Sequence, residues 1–154
     1  MMMSTQRDSR QLSWKTAVFV FLIYIALTIL MTWPMAAQLD THLFGRGSDA
    51  WSHFWVFWWV KDALVNGHTP YFTDLLYHPT GTPLYTQNIA WINIAIWLGF
   101  QTITGELAAY NLAFMVVYAF NAMSMFWLIY ALLKEQRLSQ NTLLFSAFLG
   151  GLIY

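Results

Sequence analysis

The chain has no cysteine and very few charged residues. The absence of cysteine from its 154 residues excludes disulfide bonds, thiolate metal sites and a cysteine nucleophile. Charged residues make up only 9% of the sequence, whereas soluble domains carry about 25%. The formal net charge is zero, so no basic surface indicates a nucleic-acid partner. A chain so poor in charge must turn most of its surface toward something other than water, and lipid is the simplest candidate.

Apolar and aromatic residues are present in large excess. Hydrophobic residues make up 58% of the sequence and aromatic residues 19%, with nine tryptophans. Tryptophan and tyrosine collect at membrane–water interfaces. The composition therefore predicts an all-α integral membrane protein that crosses the bilayer several times, with about three to four hydrophobic helices.

The first predicted transmembrane helix covers residues 16–33. From Trp14 to Trp33 the chain would rise by about 28 Å as a helix, close to the ~30 Å hydrocarbon core of a bilayer. Pro34 marks the end of the helix. Residues 1–15 are polar, with three basic side chains against one acid, which predicts a cytoplasmic N-terminus.

Residues 34–88 form a long predicted extracytoplasmic loop that contains a tryptophan-rich helix over residues 50–65. Ser48 and Asp49 are suitable N-cap residues for this helix, and Asn66–Gly67 is a suitable end. The helix is apolar around most of its circumference, which is typical of a helix at a membrane boundary that packs on one side. Its tryptophans are predicted to hold it at headgroup depth, at positions 51, 55, 58 and 59.

Three further hydrophobic segments follow. Residues 89–104 are short for a span, so they predict either a short span or a re-entrant helix. Residues 107–133 predict a strong transmembrane helix, and residues 141–154 predict the start of another, incomplete helix. The sequence is therefore expected to be a fragment or a shortened relative of a larger protein. If each hydrophobic segment crosses the membrane in turn, the 134–141 loop lies on the extracytoplasmic side. Its basic residues favour the cytoplasmic side, and both placements stay open.

Polar residues inside these segments have ordinary structural explanations. Glu106 precedes a long apolar run, where an acid suits a helix N-terminus. Asn111 and Asn121 are expected to bond to neighbouring helices within the membrane. Asp49 is expected at least to cap the tryptophan-rich helix, and Asp74 is expected at least to support a turn near Thr73.

Two stretches of the chain form an ordered set of motifs: "GRGSDAWSHFWVFWWVKDALVNGHTPYFTDLLYHPTGTPLY" and, further on, "GELAAYNLAFMVVYAFNAMSMFWLIYALLK". Their order resembles the N-terminal part of bacterial GT-C-type membrane glycosyltransferases. The resemblance extends over residues 12–154 and concerns membrane architecture more than chemistry. Members of that superfamily take the sugar from a polyprenyl-phosphate donor at the outer face of the plasma membrane.

The resemblance implies a set of site residues in the first extracytoplasmic loop. Asp49 matches the acidic residue that acts on the acceptor hydroxyl or coordinates a divalent metal in the superfamily. Asp74 also resembles a position of that superfamily and is a substrate-binding candidate. From their places beside Asp49, Arg46 and His53 are further substrate-binding candidates; Arg46 would pair with a phosphate or with Asp49, and Asp49 with His53 is the candidate metal pair. A cofactor is otherwise unknown, and the implied partners are the lipid bilayer, the polyprenyl-phosphate sugar and other membrane subunits.

A second interpretation stays open beside the enzyme. The chain would then be a non-catalytic small membrane subunit that packs within a larger complex, including a pigment or electron-transfer complex. In that case a lone histidine such as His53 within an aromatic helix would be a candidate ligand for haem or chlorophyll.

Overall fold

The computed structural model describes residues 12–153, which are mostly helical. Within these residues there are five α-helices; the connections from α1 to α2 and from α2 to α3 are long, the later two are short, and a two-stranded antiparallel sheet pairs Phe72 with Pro83. The elements in chain order are α1 (Trp14–Met31), a short 3₁₀ helix (Met35–Ala37), α2 (Gly47–Asn66), β1 (Phe72–Thr73), β2 (Thr82–Pro83), α3 (Trp91–Thr104), α4 (Glu106–Leu133) and α5 (Gln140–Ile153). Most of the polar N-terminal segment predicted over residues 1–15 lies outside the described residues.

Helices α1 and α4 are long and apolar enough to cross a membrane, judged by length and composition. They match the predicted segments 16–33 and 107–133 to within two residues at each end. Only 11% of the apolar window of α1 and 28% of that of α4 is buried within the protein, so most of their apolar side chains are exposed. Exposed apolar helix faces of this kind are typical of helices that contact lipid.

The predicted segment 89–104 forms α3, which has 14 residues. At about 1.5 Å per residue it is roughly 21 Å long, short of the ~30 Å hydrocarbon core. Its length therefore favours the re-entrant or interfacial alternative over a full span. Helix α5 also has 14 residues and corresponds to the predicted segment 141–154.

The chain divides into two compact units, and α4 contributes to both. The first unit comprises Met1–Thr32 and Met115–Tyr154, of which residues 12–32 and 115–153 are described. Its core joins α1, the later part of α4 and α5, and the buried side chains are Val20, Tyr24, Ala119, Met123, Phe126, Tyr130, Leu143 and Ala147. The second unit is Trp33–Phe114.

Close packing of α5 in the first unit depends on a glycine. A Cβ atom added at Gly151 would lie 2.6 Å from the carbonyl oxygen of Ala122 and would also collide with the Tyr24 hydroxyl. That hydroxyl donates a hydrogen bond to the carbonyl of Phe148 at 2.9 Å. The absence of a side chain at Gly151 therefore lets α5 approach α1 and α4, as small residues do at membrane helix contacts.

We expect Gly151→Ala to destabilise the protein by about 2 kcal/mol, because overpacking against a backbone atom cannot be relieved by a rotamer change. Unfolding by a graded denaturant in detergent, followed by circular dichroism, measures the change. Gly99→Ala is the matched control, since Gly99 also lies in a helix and a Cβ there would meet nothing within 4 Å. Equal stability of the two variants would contradict the close approach of α5.

Candidate functional site

Asp49 lies in the second unit, as the third residue of α2, and its side chain is exposed. The prediction that Asp49 caps this helix is wrong. Helix α2 begins at Gly47, three residues before the predicted start, and its N-cap residue is Arg46, which has extended backbone and makes no side-chain cap hydrogen bond. A carboxylate in the first turn still interacts favourably with the positive end of the helix dipole.

Two glycines explain the early start of α2. Gly45 has φ of 119° and Gly47 has φ of 59°, both in the left-handed region that favours glycine. A Cβ atom at Gly45 would lie 2.8 Å from the Cβ of Ala50, so the approaching chain folds closely against the first turn of the helix. The chain therefore turns before Asp49 rather than at it.

The three charged or titratable candidates near the start of α2 are close in sequence but are not bonded to one another. Within residues 12–153, the side chain of Asp49 forms no hydrogen bond or ion pair, and Arg46 does not pair with it. His53 lies one turn after Asp49, at the i, i+4 spacing that puts two side chains on the same helix face. It is also exposed. The carboxylate is therefore accessible and not engaged in a structural contact.

A divalent ion held by the protein alone does not fit this donor set. No group of three or more histidine, aspartate or glutamate side chains that could hold a metal is found in the described part of the chain. Asp49 and His53 together supply two ligands, whereas Mg²⁺ takes an octahedral and Zn²⁺ a tetrahedral shell. The donor set at this site is therefore that of a single carboxylate acting without a protein-bound metal.

Asp74 follows β1 in the turn-rich segment, and its side chain is exposed. Thr73, beside it, is buried and its hydroxyl accepts a hydrogen bond from the amide of Leu75 at 3.2 Å. The Thr73 hydroxyl therefore holds the chain here, and among the described residues Asp74 adds no hydrogen bond to the turn or cap predicted near Thr73. No hydrogen bond or ion pair connects Asp74 with Asp49 among the residues that the structure describes, so its substrate-binding role stays a prediction.

The buried face of α2 packs against α3 and the first turns of α4 through aromatic rings. Phe57 is at the centre, with ring centroids 5.8 Å from Trp97, 5.2 Å from Tyr110 and 6.2 Å from Phe114. Phe57 and Trp97 are almost fully buried. Edge-to-face and offset contacts at these separations are favourable aromatic geometries. The cluster fixes α2, and with it the first turn that carries Asp49, to the rest of the second unit.

The other side of α2 carries an open aromatic groove with a volume of about 470 Å³. It is lined by Trp51, Phe54, Trp55, Trp58 and Leu75. At about 100° per residue, Asp49 lies roughly 160° around the helix from Trp51, so the carboxylate and the groove are on nearly opposite sides. Helix α2 thus carries its aromatic groove and the single carboxylate of Asp49 on different sides.

One of the four tryptophans expected at headgroup depth is placed differently. Trp59 is only 5% exposed, packs with Ala63 and Leu84, and donates a hydrogen bond from Nε1 to the carbonyl of Pro70 at 3.2 Å. It holds the turn-rich segment against α2. Trp51, by contrast, is 62% exposed.

Asn111 is the most highly bonded polar side chain of the second unit. It is fully buried, and its amide nitrogen donates to the carbonyls of Leu39 and His42, both at 2.7 Å. Its Oδ1 accepts from the amide of Phe44 at 2.8 Å. The prediction that Asn111 bonds to a neighbouring helix is wrong, because its partners are backbone atoms of the segment that precedes α2.

A polar cluster joins the ends of three helices, and sequence analysis missed it. Glu106, the first residue of α4 as predicted, accepts hydrogen bonds at Oε1 from Lys61 Nζ at 2.9 Å and from Gln101 Nε2 at 2.8 Å. Its backbone carbonyl accepts from Trp97 Nε1 at 2.9 Å. Lys61 and Glu106 are 45 positions apart. No periodicity along the sequence could have paired them.

Comparison of the chain with protein-family models, with curated proteins and with solved structures finds no match.

Proposed function

We propose that this chain is the N-terminal module of a GT-C-like membrane glycosyltransferase and supplies the carboxylate for transfer of a sugar from a polyprenyl-phosphate donor at the outer face of a bacterial plasma membrane. In this proposal α1 and α4 cross the bilayer, the N-terminus is cytoplasmic and α2 lies at the outer interface. The exposed apolar faces of α1 and α4 support the membrane placement. The open aromatic groove of α2, with Trp51 exposed and Trp55 and Trp58 half-buried, supports the interfacial one.

The accessible carboxylate of Asp49 is the observation that carries the proposal. It is exposed, and no side chain or backbone group in the described residues bonds to it. A carboxylate held by structural contacts is already engaged, whereas a free one is able to accept a proton from a substrate hydroxyl within hydrogen-bond reach. An aromatic cluster fixes its helix, which is how a rigid element positions a reacting group.

The proposed reaction is a single displacement. Asp49 takes the proton of the acceptor hydroxyl as the acceptor oxygen forms a bond to the anomeric carbon of the donor sugar. The bond from that carbon to the phosphate oxygen breaks, and the polyprenyl phosphate leaves with the electron pair. Attack from the face opposite the leaving phosphate inverts the anomeric configuration.

Arg46 and His53 are the proposed substrate-binding groups beside the base. Arg46 is exposed immediately before the helix, and a guanidinium matches the geometry of a phosphate. His53 is exposed one turn beyond Asp49 and is able to bond to a sugar hydroxyl.

We expect the purified protein in liposomes to transfer sugar with inversion of the anomeric configuration. Radiolabelled polyprenyl-phosphate mannose and polyprenyl-phosphate glucose are the donors, octyl glucoside is the acceptor, and nuclear magnetic resonance of the product gives its anomeric configuration. A product with retained configuration would refute the single displacement. No transfer from either donor would count against the enzyme and favour a non-catalytic membrane subunit.

A further inference from the structure

The side chain of Asn111 forms all of its hydrogen bonds with one short segment of backbone. Both of its N–H donors and its carbonyl oxygen are bonded, and all three partners lie within residues 39–44. The partners are 67 to 72 positions earlier in the chain. A buried amide with three long-range backbone bonds fixes the path of that segment, because any shift would leave buried polar groups without partners.

The fixed segment leads directly into the turn that carries Asp49. Only four residues separate Phe44, the last partner of Asn111, from Asp49. Within these four, Gly45 is folded against Ala50 at a separation that allows no side chain. The ring of Phe44 also stacks on Phe114 with centroids 6.1 Å apart. The segment is therefore held to α4 at one end and to the first turn of α2 at the other.

We infer that Asn111 is a positioning residue for Asp49: by fixing the backbone of residues 39–44 it sets the place of the carboxylate at the start of α2. Asn111 does not touch the carboxylate and takes no part in proton transfer. The inference about position rests on the hydrogen bonds alone, whereas its consequence for transfer rests on the proposed function.

Distance measurement between two spin labels tests the position directly. Because the chain has no cysteine, Asp49→Cys with Ile103→Cys gives two unique labelling sites in the second unit. Ile103 is 80% exposed, so a label there does not disturb the core. We expect Asn111→Ala to broaden and shift the distribution of distances between the labels at positions 49 and 103, measured in detergent by pulsed electron–electron double resonance. Asn121→Ala, a change of an exposed asparagine on the same helix, is expected to leave it unchanged. Superimposable distributions in the parent and Asn111→Ala would overturn the inference.

Transfer kinetics of the unlabelled protein test the catalytic consequence. We expect Asn111→Ala to lower kcat roughly 100-fold with the donor KM unchanged, because misplacing a reacting group by ~1 Å costs about that factor. Unchanged kcat with a broadened distribution would refute the positioning role in transfer. An inactive parent with a broadened distribution would refute the proposed function and leave the positioning of residue 49 supported.

Asn111→Ser serves where the alanine variant fails to fold. Serine retains one donor, so we expect the distribution to be intermediate in width and the loss of kcat to be smaller than in the alanine variant. A serine variant with the parent distribution and the parent kcat would overturn the inference as well.

Discussion

Asp49→Asn is expected to lower the rate of sugar transfer by roughly 10²–10⁴-fold, the usual contribution of a general base. The substitution keeps the size of the side chain and removes its ability to take a proton. Since no group among residues 12–153 bonds to the carboxylate, its replacement breaks no structural contact. We therefore expect the unfolding transition to move little while kcat falls. Transfer in liposomes and denaturant unfolding, measured on the same preparation, separate the two effects.

Asp62→Asn is the matched control for this change. Asp62 lies on the same helix. Its Oδ1 accepts a hydrogen bond from Asn66 Nδ2 at 3.1 Å, four residues further along. It undergoes the same chemical change far from the first turn of α2. We expect its transfer rate to stay at the parent level. Full activity of Asp49→Asn would remove the carboxylate from the mechanism.

Asn111→Leu is expected to destabilise the protein by about 3 kcal/mol, since each lost hydrogen bond contributes about 1 kcal/mol and three are lost. Leucine has the same number and branching of side-chain heavy atoms as asparagine, so the substitution removes the hydrogen bonds without leaving a cavity. The carbonyls of Leu39 and His42 and the amide of Phe44 would lose their partner together. Denaturant unfolding in detergent measures the free energy, and hydrogen exchange at the Phe44 amide is expected to become faster.

Asn121→Leu provides the comparison on the same helix. Asn121 is exposed. In an apolar environment its replacement by leucine is expected to be neutral or stabilising, since the burial of a polar side chain without a partner is costly. If both variants lowered stability equally, the loss at position 111 would follow from the change to leucine and not from the loss of the three hydrogen bonds between Asn111 and residues 39–44.

The helical segments could be predicted because their signals are local. An uncharged apolar run, flanking tryptophans and a following proline placed α1 to within two residues, and Gly67 ends α2 with φ of 72° as expected. The start of α2 could not be placed in this way. Ser48 and Asp49 are good cap residues, but Gly45 and Gly47 permit a turn that begins the helix earlier, and the close contact of Gly45 with Ala50 decides between the two.

The candidate site was predictable in part. Asp49 was singled out from the sequence, and the structure shows it exposed in the first turn of α2. Sequence analysis could not show that its neighbours leave it unbonded, because that depends on distances between side chains. The partners of Asn111 and the pairing of Lys61 with Glu106 were out of reach for the same reason, since each joins residues at least 45 positions apart.

The sequence by itself determined that this chain is helical, poor in charge and rich in aromatic side chains, because composition and local periodicity carry that information. It also limited the candidate base to a few acidic residues. Only the tertiary structure decided which tryptophan of α2 is buried, which face of that helix carries a groove and what Asn111 holds. These features depend on contacts between distant segments, and packing and hydrogen-bond geometry select such contacts only when the chain is folded.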